Sequence, residues 1–390
     1  MVAIPPAMAG QVAEAGYPFR LCGEPDESEL APLRELLPTL PPAQATIAGN
    51  RDLFAKLAAG AMLPGMAEIV DDWEPGLVVR EPCEYASAVI AEARGLPHVQ
   101  VAISSARGEI SSIRAAAPAL EEHSPGLTAA LIASPYLSRF PASLDPSPFP
   151  HTVRYREPGW VPGPVSGGEP GRPATGETGR RPGREAAGGA SLPDWWPAGD
   201  RAAGSDLPLV YLTFGTVLGH MTIAGSVIET ALAAVGGMAV RVLLTYGRRF
   251  GVEELGELPP NVHAEPWVDQ DTVLPHADLV VCHGGSGTVL GALGAGVPMV
   301  VVPSFADQFD NGRRIEEAGA GLTVEARQAG GGSTRSPIGP QDAPRIAAAM
   351  SEVLGSASYR QAARRIGDEM AASPLPAVAL AALAALAPRR

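Results

Sequence analysis

PWVDQDTVLPHADLVVCHGGSGTVLGALGAGVPMVVVPSFADQFDN, residues 266–311, is the stretch whose reading decides the architecture. It carries two short apolar runs, Leu279–Cys282 and Met299–Val302, with a helical stretch, Thr288–Ala295, between them. Short runs of this kind, bounded by Gly and Pro, read as strands buried on both faces, and the stretch between them reads as a crossover helix. The alternation continues outward. Leu209–Phe214 and Val240–Tyr246 read as strands around a helix at Ile223–Val235. Upstream, strands at Leu77–Val79 and Val99–Ile103 flank a helix at Glu84–Arg94. Alternating strands and helices predict the α/β class: two doubly wound, Rossmann-like domains with parallel sheets, facing a cleft, with ligands at the carboxyl ends of the strands.

A different composition separates the two halves. From Pro158 to Pro193, 17 of 36 residues are Gly or Pro, without hydrophobic periodicity. Such a stretch buries too little apolar surface to offset its ordering entropy, so it reads as a linker or insertion. The predicted organisation is a first domain over 1–157, a linker over 158–206, a second domain over 207–372 and a helical tail over 373–390. At 390 residues the chain is long enough for two cores, and 46% hydrophobic residues make it globular.

The charge narrows the function classes. With 42 acidic against 29 basic residues the net charge is -13. That argues against nucleic acid or an anionic membrane surface as partner. Lys56 is the only lysine, which leaves no Walker A or Schiff-base lysine in the second half. Cys22, Cys83 and Cys282 are odd in number and far apart, so neither a disulfide framework nor a structural zinc is expected, and a reducing cytoplasm fits. MVAIPPAMAG lacks the basic region of a signal peptide, and the apolar run Ala377–Ala387 is too short for a bilayer span, so no stable membrane insertion is expected.

The chemistry concentrates at the turn His283-Gly284-Gly285-Ser286-Gly287-Thr288, between a strand and a helix. Glycines let backbone approach a ligand, and the helix N-terminus offers unpaired N–H groups with a partial positive charge. His283, Ser286 and Thr288 add side-chain donors, which together describe a phosphate cradle. The dinucleotide pattern G-x-G-x-x-G fails at Leu290 and the hydrolase pattern G-x-S-x-G at Thr288. The alternative is a tight turn that binds nothing. On the flanks, Trp267 and Gln270 offer a stacking face and an amide for a nucleobase, or a half-buried anchor. Asp307 and Gln308 after the next strand can grip sugar hydroxyls, or Asp307 can cap a helix.

Taken together, Trp267-Val268-Asp269-Gln270, the His283–Thr288 turn, Asp307-Gln308 and the strand Val210–Thr216 resemble the GT-B nucleotide-sugar glycosyltransferases of bacterial natural-product biosynthesis. The resemblance spans nearly the whole chain apart from the Gly/Pro segment. It implies that Trp267 and Val268 flank the base, with Gln270 nearby. It implies that Thr216, His283, Gly285, Ser286, Gly287 and Thr288 hold the diphosphate, and that Asp307 and Gln308 bind the donor sugar. Asp269 stands where many relatives carry proline, which bears on the loop's shape.

The resemblance also implies an inverting, metal-independent transfer of a sugar from a UDP- or dTDP-sugar to a hydroxyl of an apolar small molecule, with no further cofactor. Relatives begin with a strand and a loop carrying a general-base histidine. Here the residues from Met1 resemble the end of their second strand, so a first βα unit of about 25–30 residues is not seen. Gly219-His220 lies in the second half and is not that base. Glu81 stands where the family's supporting acid is expected and is the catalytic candidate; its plainer reading is a helix cap. The competing expectations are a nucleotide-sugar binder without the base and an epimerase or hydrolase on the same fold. Arg107–Ala117 and Pro125–Phe140 are candidate walls of an acceptor pocket, with ordinary core packing as the alternative. Asp71-Asp72, ahead of Trp73 in an expected loop, are adjacent rather than spaced as in a D-x-D metal motif.

Overall fold

The structure is a computed structural model that describes residues 1–157, 207–215, 223–247, 251–304, 307–326 and 338–386. Thr216, Gly219-His220 and the Gly/Pro stretch from Pro158 lie outside the described residues. In chain order the elements are β1 (Val2–Ile4), α1 (Ala9–Glu14), β2 (Phe19–Leu21), α2 (Glu27–Leu36), α3 (Pro42–Ala48), a π-helical segment (Gly49–Ala58), α4 (Ala59–Trp73), β3 (Val78–Arg80), α5 (Ala86–Arg94), β4 (His98–Val101), α6 (Ala106–His123), α7 (Leu127–Ala133), β5 (Tyr136–Ser138) and β6 (Thr152–Arg154). They continue with β7 (Leu209–Thr213), α8 (Ile223–Val235), β8 (Arg241–Thr245), β9 (Val262–Glu265), α9 (Gln270–Val273), β10 (Leu279–Cys282), α10 (Ser286–Gly294), β11 (Met299–Val301), α11 (Gln308–Glu317), β12 (Gly321–Thr323), α12 (Ala343–Gly355), α13 (Ala357–Ala371) and α14 (Pro376–Leu386). Among the described residues two compact units form: one from 1–155 with 374–386, the other within 207–373.

In the first unit, β3, β4, β5 and β6 pair in that order, all parallel, and β1 and β2 form a separate parallel pair. One face of the four-stranded sheet packs under helices. Met62, Met66, Ile69 and Val70 of α4, Ala86, Val89 and Ile90 of α5, and Ile110, Ile113 and Leu120 of α6 share a buried core. Their three- and four-residue spacing puts each set on one helical face. The core packing of α6 answers the pocket-wall expectation for Ile110, Ile113 and Ala116. The other face carries Val99 and Leu137, covered by Ala379 and Leu383 of α14, so the C-terminal helix completes the core of the N-terminal sheet.

One expectation changes here. Asp71 and Asp72 lie in the last turn of α4 rather than in a loop, and Arg94 and Arg20 pair with them at 2.9 Å. The helical run Gln44–Trp73 is long and apolar enough, by length and composition, to cross a bilayer. A search for unbroken apolar runs misses it because Arg51, Asp52 and Lys56 interrupt it. Its inward residues, from Ala55 to Val70, are buried in the unit's core.

In the second unit six parallel strands run in the order β12-β11-β10-β7-β8-β9. Leu209–Thr213 and Leu279–Cys282 are buried along their whole length, as central strands with helices on both faces must be. The chain builds from β7 outward through β8 to β9, then crosses back to place β10 on the other side of β7. The connections leaving β7 and β10 therefore diverge to opposite sides and leave a crevice at the strands' carboxyl ends. Cys282 is in register with Thr213, so the segments that follow them, Phe214-Gly215 and His283–Gly285, emerge side by side. The strands β9 and β12 were not legible from their sequences, which are short and carry His263, Glu265 and Gly321.

Candidate functional site

The residues after β10 form a turn that leads into α10, with Gly285 at the cap and Ser286, Gly287 and Thr288 as the first helical residues. Their N–H groups have no carbonyl one turn back to bond. The His283 imidazole is packed between two glycine backbones. A methyl carbon on Gly215 would lie 2.7 Å from Cε1, and one on Gly285 2.5 Å from Nε2. Gly215 also has φ +73°, which a side chain would resist. Burial lowers the imidazole's pKa, against the opposing pull of Asp307 and the Thr213 carbonyl, so His283 is neutral at pH 7. Its Nδ1 is buried without a hydrogen-bond partner. Gly287 is exposed, and a methyl carbon there would meet nothing within 4 Å.

Asp307 occupies the cap position of α11, yet it makes no side-chain cap. Its carboxylate turns instead to the glycine turn, where Oδ2 accepts from Ser286 Oγ at 2.7 Å. That bond uses the Ser286 hydroxyl proton, so Ser286 is a link between turn and carboxylate, and its free donor is the backbone N–H. Gln308 is buried, and its Oε1 accepts from Ser304 N at 2.9 Å, fastening the end of β11 to α11. Gln270 opens α9, and its Nε2 reaches Thr288 Oγ1 at 3.3 Å and the Tyr211 hydroxyl at 3.4 Å. Thr288 accepts in this contact and keeps its proton for donation. Asp269 resolves the loop's shape: its Oδ1 accepts from Asp271 N at 3.1 Å and caps α9. In the same loop Val268 is buried and Trp267 half-buried.

Contacts therefore bring together Gln270, His283, Gly285, Ser286, Thr288 and Asp307. Three further residues belong to this cluster. Tyr211 and Thr213, two apart on β7, share a face with Thr245 of β8, and Thr245 Oγ1 bonds Thr213 Oγ1 at 2.7 Å and lies 3.1 Å from the Tyr211 hydroxyl. The available signal was hydroxyls at period two inside an apolar strand.

In the first unit Glu81 follows β3, and its Oε2 accepts from Cys83 N at 3.0 Å. It does not cap α5; Glu84 bonds Ser87 N at 3.0 Å in that role. Burial raises the Glu81 carboxyl above its ordinary range, with the nearby charge of Glu84 adding and the Cys83 N–H opposing. Arg80, fully buried, donates to the carbonyls of Glu81, Pro82 and Glu84 and to Gln100 Oε1, and so holds the turn that presents Glu81. Glu109 of α6 is a second buried carboxyl. It accepts from Ile103 N at 2.8 Å and Ser104 N at 2.7 Å, and burial pushes it up to about 7. Sequence alone gave no sign of it, because Glu109 sits on a helix like any surface glutamate.

Comparison with known proteins also gives two parts, although the second match runs on through α14, which packs on the first unit. Residues 43–148 match the model of the Erythromycin biosynthesis protein CIII-like N-terminal domain, and residues 229–386 that of its C-terminal domain. L-demethylnoviosyl transferase of Streptomyces niveus is 33% identical over 353 residues, covering 89% of this chain and 79% of that protein. The crystal structure of the glycosyltransferase SnogD from Streptomyces nogalater superposes with a TM-score of 0.67 at 25% identity, covering 100% of this chain and 92% of SnogD. Glycosyltransferase VinC, solved in complex with DTDP, gives 0.67 at 23% identity, covering 99% of this chain and 91% of VinC, and agrees in fold.

Proposed function

Since this chain belongs to the Erythromycin biosynthesis protein CIII-like family and is a GT-B glycosyltransferase of natural-product biosynthesis, we propose that it transfers a sugar from a dTDP- or UDP-sugar to a hydroxyl of an apolar small-molecule aglycone, with inversion and without a metal. The observation that carries this reading is the meeting of the β7 and β10 ends. There His283, packed against Gly215 and Gly285, lies beside the open N-terminus of α10. The VinC complex with DTDP lends the nucleotide its chemistry.

In this mechanism the acceptor oxygen loses its proton as it attacks the anomeric carbon, and the bond from that carbon to the diphosphate breaks. The developing negative charge falls to the N–H groups of Ser286, Gly287 and Thr288 and to the Thr288 hydroxyl. Fixed donors of this kind reorganise little during the reaction. The helix terminus adds about 0.3–2 kcal/mol. Neutral His283 contributes as a hydrogen-bonding group. Trp267 and Gln270 bind the base, and Asp307 and Gln308 bind the sugar. Glu81, with its raised pKa, is the proton acceptor in the first unit, and positioned proton removal contributes about 10²–10⁴-fold.

The test is transfer. The protein is incubated with dTDP- and UDP-sugars and a panel of phenolic and alcoholic aglycones in EDTA, and product mass and anomeric configuration are read. A glycosylated product of inverted configuration is expected. A retained configuration, or a requirement for divalent metal, would overturn the mechanism. Donor cleavage with no acceptor would favour a hydrolase.

A further inference from the structure

Asn311 lies one turn into α11, and its backbone N–H bonds the Asp307 carbonyl at 2.9 Å. Its side chain is 1% exposed. Nδ2 faces three oxygens: Gly284 O at 2.9 Å, Asp307 Oδ2 at 3.0 Å and Ser286 Oγ at 3.1 Å. Since Ser286 Oγ itself bonds Asp307 Oδ2, the three side chains close a ring. The amide can stand only one way round, because a flip would lay its oxygen against three other oxygens. The cost is a buried Oδ1 without a partner. An amide that leaves its own oxygen unpaired, in order to keep its N–H₂ group on one carboxylate oxygen and one glycine turn, marks a position built for geometry.

We propose that Asn311 is the positioning residue of the donor-sugar site: by holding Oδ2 of Asp307 together with Ser286, it fixes which way the carboxylate's other oxygen, Oδ1, points. This rests on the reading of Asp307 as the sugar-binding acid. In the structure both donors, Ser286 Oγ and Asn311 Nδ2, converge on Oδ2. The carboxylate can then meet sugar hydroxyls through Oδ1 without rotating. The contact to Gly284 ties the same helix to the turn that cradles the diphosphate, which sets sugar and phosphate subsites at a fixed separation. The titratable groups around the ring are His283 on the turn, whose pKa burial lowers, and Asp310 on α11, which Arg313 and Arg314 engage.

The test compares binding of the whole nucleotide-sugar with binding of the nucleoside diphosphate alone. Asn311→Ala is expected to raise KM for the nucleotide-sugar at least tenfold while the inhibition constant of the diphosphate changes less than about threefold, because the strands and the start of α10 still hold the turn. In an Asp307→Asn background Asn311→Ala is expected to add little, since the group it positions is gone. Asn311→Asp supplies a second readout. Two carboxyls about 3 Å apart share one proton, and it leaves only well above the ordinary carboxylate range, after which the two repel. KM for the nucleotide-sugar should then rise about tenfold between pH 6 and pH 8.5, a rise absent from the wild type. Equal losses for diphosphate and nucleotide-sugar, full additivity with Asp307→Asn, or an unchanged pH profile in a folded Asn311→Asp protein would each overturn the proposal. A wild type that binds the diphosphate but gains nothing from the attached sugar would instead refute the reading of Asp307.

Discussion

Gly287→Ala separates a turn that binds nothing from one that cradles phosphate. Gly287 is the second residue of α10, exposed, with no atom within 4 Å of the place a methyl carbon would take. Alanine in a helix is favoured over glycine by about 0.5–1 kcal/mol, so the folded protein gains or keeps stability. A melting temperature unchanged or raised by up to about 3 °C follows. Helical side chains tilt toward the N-terminus, so the new methyl leans over the end where the anion sits. If it displaces one charge-assisted N–H contact, the loss is about 1.5–3 kcal/mol, or roughly 10- to 150-fold in donor affinity. The assay is paired: thermal melting without ligand, and calorimetric titration with dTDP and UDP. A more stable protein that binds the diphosphate as tightly as the wild type would refute the cradle at this helix end.

Three further outcomes follow from the same geometry. Gly285→Ala sets a carbon 2.5 Å from His283 Nε2, so the ring must leave its place, and titration with dTDP should show at least a tenfold loss. Glu109 has its folded pKa raised from the 4.5 of a free glutamate to about 7 by burial, so the unfolded chain ionises first and stability falls as pH rises from 4.5 to 7. At 1.36 kcal/mol per pH unit the penalty is at most about 3 kcal/mol above pH 7. Glu109→Gln should therefore gain up to that amount relative to wild type between pH 4.5 and pH 8 in urea titrations, and a difference independent of pH would contradict it. Leu383→Ala removes a 2% exposed side chain from the sheet face that α14 covers, and thermal and urea denaturation should show a cost of about 2–5 kcal/mol.

The parts of the fold legible in sequence were those where one kind of residue fills a whole element. Leu279–Cys282 and Leu209–Thr213 are apolar throughout because helices cover both faces, and their strands fall within a residue or so of expectation. The helix after the glycine turn begins at Ser286 rather than Thr288, since glycine and serine are weak helix formers inside a helix but serve at its start. What could not be read are contacts across the chain. Asp307 reads locally as a cap, and only the fold shows its carboxylate turned to Ser286, 21 residues away. Asn311 stands at the end of the decisive stretch, yet its three acceptors come from two separate connections. Glu109 becomes a buried acid only because the loop at Ile103-Ser104 folds back over it.

The most direct test of the account is calorimetric titration of the wild-type protein with dTDP, UDP and the corresponding monophosphates in EDTA. The account predicts one-to-one binding of a diphosphate, weaker by at least tenfold when the second phosphate is removed, because the open N–H groups of α10 and the Thr288 hydroxyl bind that phosphate. Equal affinity for mono- and diphosphate, or no binding of either nucleotide, would contradict the claim that the β7 and β10 ends form a diphosphate cradle.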